Sequence, residues 1–92
     1  MYRARNEWKK VVDDCSEIIR RKETDAGAYT MRGAAYGKLR ELDLALADCK
    51  RAVDMSPTDP SLHANLALVY SMMAKWDKAV HESTQAIVLG QV

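Results

Sequence analysis

Apolar residues recur along this chain at three- and four-residue spacing, in five stretches parted by short polar breaks. Trp8, Val11, Val12, Cys15, Ile18 and Ile19 form the first stripe and predict a helix from about Asn6 to Lys22, with Asn6 as its N-cap. Thr24, Asp25 and Gly27 break it, and Asp25 is placed to cap the next helix, Ala26 to Leu39. In that second helix Tyr29, Gly33 and Tyr36 share a face. Leu42, Ala45, Leu46, Cys49, Ala52 and Val53 make the third stripe, over Leu42 to Met55. Only Arg40 and Glu41 separate it from the second helix, which leaves room for a tight turn and forces the two antiparallel. The segment "SPTDPS" at Ser56 to Ser61 is a turn with a built-in restart, because Asp59 can cap a helix and Pro60 suits its first turn. Helices over Leu62 to Met73 and Trp76 to Leu89 follow, with Gly90 as the stop.

The pattern repeats with a period of 34 residues. Tyr36, Asp43, Ala45 and Ala52 return as Tyr70, Asp77, Ala79 and Ala86. Gly33, Leu42, Leu46 and Val53 return as Ala67, Trp76, Val80 and Ile87. One period earlier stand Tyr2, Trp8, Val12, Cys15 and Ile19. A fixed period with size-matched apolar residues marks one supersecondary unit stacked on the next. The expected fold is all-α: an antiparallel helix-hairpin solenoid of five helices in a single domain. Its units are a partial repeat over 1–25, a repeat over 26–59 and a repeat over 60–92.

On these residues the chain resembles the tetratricopeptide-repeat family, at about two and a half repeats. Tyr29, Gly33, Tyr36, Ala45, Ala52 and Pro57 fill the family's places for a bulky residue, a small residue, an aromatic, two alanines and a closing proline. Ala67, Tyr70, Ala79 and Ala86 fill them again, with Gln91 where proline is usual. In the first unit Val11 and Ile18 replace both alanines and Glu23 replaces the proline.

Composition narrows the function. Apolar residues make up 48% of the chain, and no run approaches the ~18 residues that span a bilayer. The N-terminal residues carry charges throughout and do not read as a signal peptide, so the expected compartment is the cytoplasm and no membrane partner is expected. Net charge is +1, and the basic cluster Arg20, Arg21, Lys22 falls at a helix C-terminus, where cations suit the helix dipole. Nucleic-acid binders concentrate Lys and Arg on one face, so no nucleic-acid partner is expected. Cys15 and Cys49 occupy equivalent places in consecutive units, too far apart for a disulfide, and read as buried thiols. His63 and His81 pair with no cysteine or carboxylate at metal-ligand spacing, and neighbouring acids such as Asp13 and Asp14 point apart on a helix. With no phosphate loop or nucleophile motif, no catalytic residue, metal or cofactor is expected and the chain does not read as an enzyme.

The resemblance implies a concave groove lined by the other face of the first helix of each unit. Its expected binding residues are Thr30, Met31, Ala34 and Lys38 from one unit and Ala64, Asn65, Leu68 and Met72 from the next, with Gly27, Ser61 and Ser71 beside them. Asn65 matches an asparagine that some members use to hold a ligand's backbone or carboxylate. Thr30, Met31 and Ala34 do not supply the lysines, arginine and second asparagine of the chaperone-binding members. The implied function is protein–protein interaction, with a peptide or partner helix in the groove. A structural or oligomerisation role within a larger protein is the alternative. The ends bear on it: Trp8, Val12 and Ile19 at one end, and Ile87, Val88, Leu89 and Val92 at the other, are apolar with little sequence to cover them. They point to a longer chain or to a homo-oligomer formed through uncapped ends.

Overall fold

The computed structural model describes residues 5–22 and 24–91, which form five helices. They are α1 (Arg5–Arg21), α2 (Ala26–Lys38), α3 (Leu42–Met55), α4 (Pro60–Met72) and α5 (Trp76–Gly90). Among the described residues there is no strand, and no helix is long and apolar enough to cross a membrane. The helix-hairpin solenoid expected from the 34-residue period is the observed fold. Met1 to Ala4 with Tyr2, Glu23 and Val92 lie outside the described residues.

Local chemistry sets the helix boundaries. Asp25 accepts a hydrogen bond from the Ala28 N–H at 3.1 Å, and Asp59 accepts one from Ser61 N–H at 3.0 Å, each capping the helix that follows. Pro60 stands in the first turn of α4, where a missing N–H costs nothing. Two boundaries differ from the sequence expectation. Asn6 lies inside α1, which already runs from Arg5, and so does not cap it. Gly90 stays helical and Gln91 is the residue that ends α5, because a glycine stops a helix by turning left-handed and no glycine here has positive φ.

Both hairpin turns use the same device without glycine. Arg40 (φ 62°) and Ala74 (φ 59°) are left-handed. Behind them the Glu41 N–H donates to the Tyr36 carbonyl and the Lys75 N–H to the Tyr70 carbonyl, each at 2.9 Å. These long-reach bonds, with Arg40 N–H to Gly37 and Ala74 N–H to Ser71, are Schellman closures that satisfy the last carbonyls of α2 and α4. Holding a residue with a Cβ left-handed costs on the order of 1–2 kcal/mol.

Small residues let the hairpins close. A Cβ added to Gly33 would lie 3.0 Å from Cys49 Sγ and 3.3 Å from Asp48 Cβ, so α2 meets α3 at a distance that a larger residue would have to push apart. Ala45 and Ala52 are buried at the same junction, and Ala79 is buried in the α4–α5 hairpin. Ala86, one period after Ala52, is half-exposed, since no described helix packs on the outer side of α5. The core cluster joins Ala45, Cys49, Leu66, Val69, Tyr70 and Ala79, with Tyr36, Leu46, Val53 and Met73 packed around it.

A nearly buried ion pair, which the hydrophobic pattern does not announce, ties the first three helices. Arg32 on α2 donates from Nε to Asp48 Oδ2 and from Nη2 to Asp48 Oδ1, both at 2.8 Å, and from Nη1 to Ser16 Oγ on α1 at 3.1 Å. Tyr29 and Tyr36 flank the guanidinium, with ring centroids 5.6 and 5.8 Å away. At the far end of α1, Arg5 Nη1 donates to the Leu39 carbonyl at 3.5 Å.

Asp48→Ala should therefore destabilise the fold by about 3 kcal/mol, because it leaves a nearly buried guanidinium without its counter-charge. Denaturant unfolding measures this, and a loss below half that figure would mean that solvent already screens the pair. Ala74→Gly should raise stability, by up to about 1 kcal/mol, through relief of the left-handed strain. A lowered thermal midpoint in that variant would contradict the strain argument.

Candidate functional site

The candidate site is a cleft of about 120 Å³ between α2 and α4, the first helices of successive hairpins. Because α2 and α4 occupy the same place in units one period apart, they run side by side and present matching turns. Thr30, Ala34 and Lys38 line one wall, and Asn65, Leu68 and Met72 the other, with Gly33, Gly37, Cys49 and Val69 between them. Ala34 and Leu68, like Lys38 and Met72, stand 34 residues apart, so the cleft is built in rungs. Thr30 and Asn65 make one end polar, Lys38 makes the other cationic, and the middle is aliphatic.

The floor is inert. Cys49 reaches it because Gly33 has no side chain in the way. Burial, with the neighbouring Asp48 charge adding to it, pushes the Cys49 thiol up to about 11, so it stays protonated and apolar at neutral pH. Burial also raises the Cys15 thiol, chiefly by desolvation. Both cysteines are free.

The polar groups of the walls are differently placed to act. Thr30 Oγ1 donates to the Ala26 carbonyl at 2.8 Å, which commits its proton to its own helix and leaves only acceptor capacity for a ligand. Asn65 is half-buried, and among the described residues its amide has no hydrogen-bond partner. Lys38 is exposed and has no ion-pair partner among the described residues. A half-buried free amide beside an apolar slot can hydrogen-bond a peptide's backbone while the slot takes a side chain.

Of the eight residues expected from sequence, six share this cleft: Thr30, Ala34, Lys38, Asn65, Leu68 and Met72. Met31 is exposed outside it. Ala64 lies instead in a shallower groove with Ala67, Leu68, Ser71, Ser83, Ala86 and Ile87. That groove echoes the first, since Ala67, Leu68, Ser71 and Ser83 stand one period after Gly33, Ala34, Gly37 and Cys49. No described helix supplies its far wall. The sequence places Gly33 on the face shared with Tyr29 and Tyr36 and Cys49 among the buried thiols, and Gly37 is passed over. The Gly33–Gly37 spacing, one turn apart, is the signal that α2 has a bare face here.

On α1 the basic cluster forms surface ion pairs. Arg20 and Arg21, expected at a helix end, both pair with Glu17 on the surface of α1, and those pairs draw the Glu17 carboxyl below its usual range. Among the described residues no cluster of three or more His, Cys, Asp or Glu side chains could hold a metal ion.

Residues 49–81 match the family model described as tetratricopeptide repeat. The chain is similar to Hsp70-Hsp90 organizing protein of Triticum aestivum, 29% identical over 79 residues, which are 86% of this chain and 13% of that protein. It is 32% identical over 65 residues to Hsp70-Hsp90 organizing protein 1 of Glycine max, covering 71% of this chain and 11% of that protein. The chain thus spans only about an eighth of the length of the curated relatives it matches. Among solved structures it resembles the TPR2B domain of yeast Sti1 in its pHsp70 complex, with a TM-score of 0.87 at 26% identity, covering 91% of this chain and 67% of that one. The 34-residue period, the two helix hairpins closed on small residues and these matches agree: the chain belongs to the tetratricopeptide-repeat family.

Proposed function

We propose that the chain is a protein–protein interaction module whose α2–α4 cleft takes one aliphatic side chain of an extended peptide, with Asn65 holding the peptide backbone beside it. The observation that carries this is the cleft itself: a narrow aliphatic slot with an amide on one wall and an ammonium at one end, neither of them paired among the described residues. A cavity of ~150 Å³ suffices for a benzene-sized group, so this one suits a single Leu, Ile, Val or Met side chain. The helices around it are fixed by the nearly buried Arg32–Asp48 pair and the Ala45 junction, so the incoming peptide bears most of the ordering cost. The likeness to Hsp70-Hsp90 organizing proteins and to a repeat domain solved in a pHsp70 complex supports a protein or peptide partner. The reading is of a binding module and assigns no catalysis.

A second reading has its own observation. Trp76, Val80 and Ile87 are 63%, 65% and 63% exposed on one stripe of α5, whereas their counterparts Leu42, Leu46 and Val53 on α3 are partly buried where α4 packs. Such a stripe favours association of copies through α5. Sedimentation at high concentration should then show dimers that Val80→Glu returns to monomer, and a monomeric parent would dismiss the reading.

Panning random peptides against the chain tests the cleft. Retained sequences should share one aliphatic position, and Asn65→Ala should weaken a selected peptide by about 1–3 kcal/mol. Gly37→Ala is the sharper variant. Its added methyl would sit 3.8 Å from Met72 Cε, an ordinary contact, so it narrows the slot without a clash. Gly37 lies in the last turn of α2, where alanine in its place also stabilises the helix, by up to about 0.5–1 kcal/mol. Binding should fall while the melting temperature rises. Unchanged affinity in both variants would place the site off the cleft.

A further inference from the structure

His63 is a buried side chain of α4 that the cleft does not use, 8% exposed. Its Nδ1 lies 2.7 Å from Glu82 Oε1 on α5, and its Nε2 lies 2.7 Å from the Pro57 carbonyl oxygen in the α3–α4 turn. A carbonyl oxygen can only accept, and an ionised carboxylate can only accept. Two acceptors on two ring nitrogens require two ring protons, which is the imidazolium. The neutral ring has one N–H, so one of the two contacts must then face acceptor to acceptor. With a carboxylate at Nδ1 and a carbonyl oxygen at Nε2, both contacts are satisfied only when the ring carries both protons.

The 34-residue period supplies an internal comparison. One unit earlier, the places of His63 and Glu82 are held by Tyr29 and Asp48. There the acid is gripped by Arg32, a cation at every accessible pH. The same acidic position in the second helix of each hairpin is therefore held by a permanent charge in one unit and by a titratable one in the next.

We infer that the His63 proton is a clasp, joining α4 to both α5 and the α3–α4 turn, and that the α4–α5 hairpin loosens as this proton is lost while the α2–α3 hairpin does not. The charged groups acting on the ring are Glu82 from α5 and Asp59 from the α3–α4 turn, both acidic and both favouring the cation. The hydrogen bond to Glu82 raises the His63 pKa above its ordinary value, against the opposing effect of burial. A raised native pKa fixes the sign. The contribution is complete below about pH 6.5, where the unfolded histidine is also charged, and is lost as pH rises through the native value. Since α4 carries Asn65, Leu68 and Met72, the clasp also sets how firmly one wall of the cleft stands.

Imidazole NMR on the intact chain tests this, with His81→Asn removing the other histidine signal. The His63 ring should carry both protons at pH 6 and titrate above 6.5, and Glu82→Gln should lower that midpoint. Amide exchange, corrected for intrinsic base catalysis, should accelerate between pH 6 and 8.5 in α4 and α5 and hold steady in α2 and α3. His63→Tyr, which installs the residue of the preceding unit, should abolish this difference, and it carries the test should Glu82→Gln fail to fold. A midpoint at or below 6.5, a midpoint indifferent to Glu82, or equal loosening of both hairpins would overturn the inference.

Discussion

The Arg32 guanidinium is the constraint on which the first three helices depend. A planar fork with five donors can hold a carboxylate bidentately and still reach a third group. Here it spends two N–H groups on Asp48 of α3 and one on Ser16 of α1 while its own stem is rooted in α2. No apolar contact fixes three helix axes and their rotations at once, because dispersion is non-directional. The pair is nearly buried, so either partner alone would carry an uncompensated charge, and the arrangement holds together or fails together. Tyr29 and Tyr36 complete the enclosure by lending their ring faces to the cation.

The carboxylate can reach the fork only because the backbones are close. Gly33 lies on α2 one residue after Arg32, and its missing Cβ is what admits Asp48 and Cys49 to the α2 surface. Ala45, wholly buried, does the same from α3. Small residues and the ion pair are thus one device: the first sets the distance, the second the register. In the next unit Ala67 takes the glycine's place and Leu66 the arginine's, and the acid, now Glu82 with one more methylene, finds a histidine instead. The period preserves the position of the charge and the volume of the contact while exchanging the chemistry that satisfies them.

This explains what the sequence disclosed. Apolar periodicity and the 34-residue echo located all five helices to within two residues, because burial of a stripe is what makes such short helices stable at all. Asp25, Asp59 and Pro60 announced their own boundaries. The left-handed Arg40 and Ala74 did not, since neither residue prefers that conformation and only the closing hydrogen bonds impose it. The cleft was legible on its walls, where Ala34, Leu68, Lys38 and Met72 repeat, and obscure on its floor, where the contributing groups are absences at Gly33 and Gly37. Arg32, Asp48, His63 and Glu82 stood among ordinary surface-type residues, and nothing in their spacing reveals that distant helices will bring them into one interior.

That asymmetry has a physical origin. A stripe of apolar side chains reports its burial locally, residue after residue, whereas a polar pair across helices is specified by two positions 16 or 19 apart and by the shape of everything between them. The α2–α4 cleft combines both kinds of information. Its outline follows from helix periodicity, but its rigidity follows from the pairs behind its walls, Arg32 with Asp48 behind α2 and His63 with Glu82 behind α4. The two walls are therefore supported unequally, one by a charge that pH does not remove and the other by one that it does. A groove built from repeated units can in this way keep one shape while its two sides differ in how readily they yield.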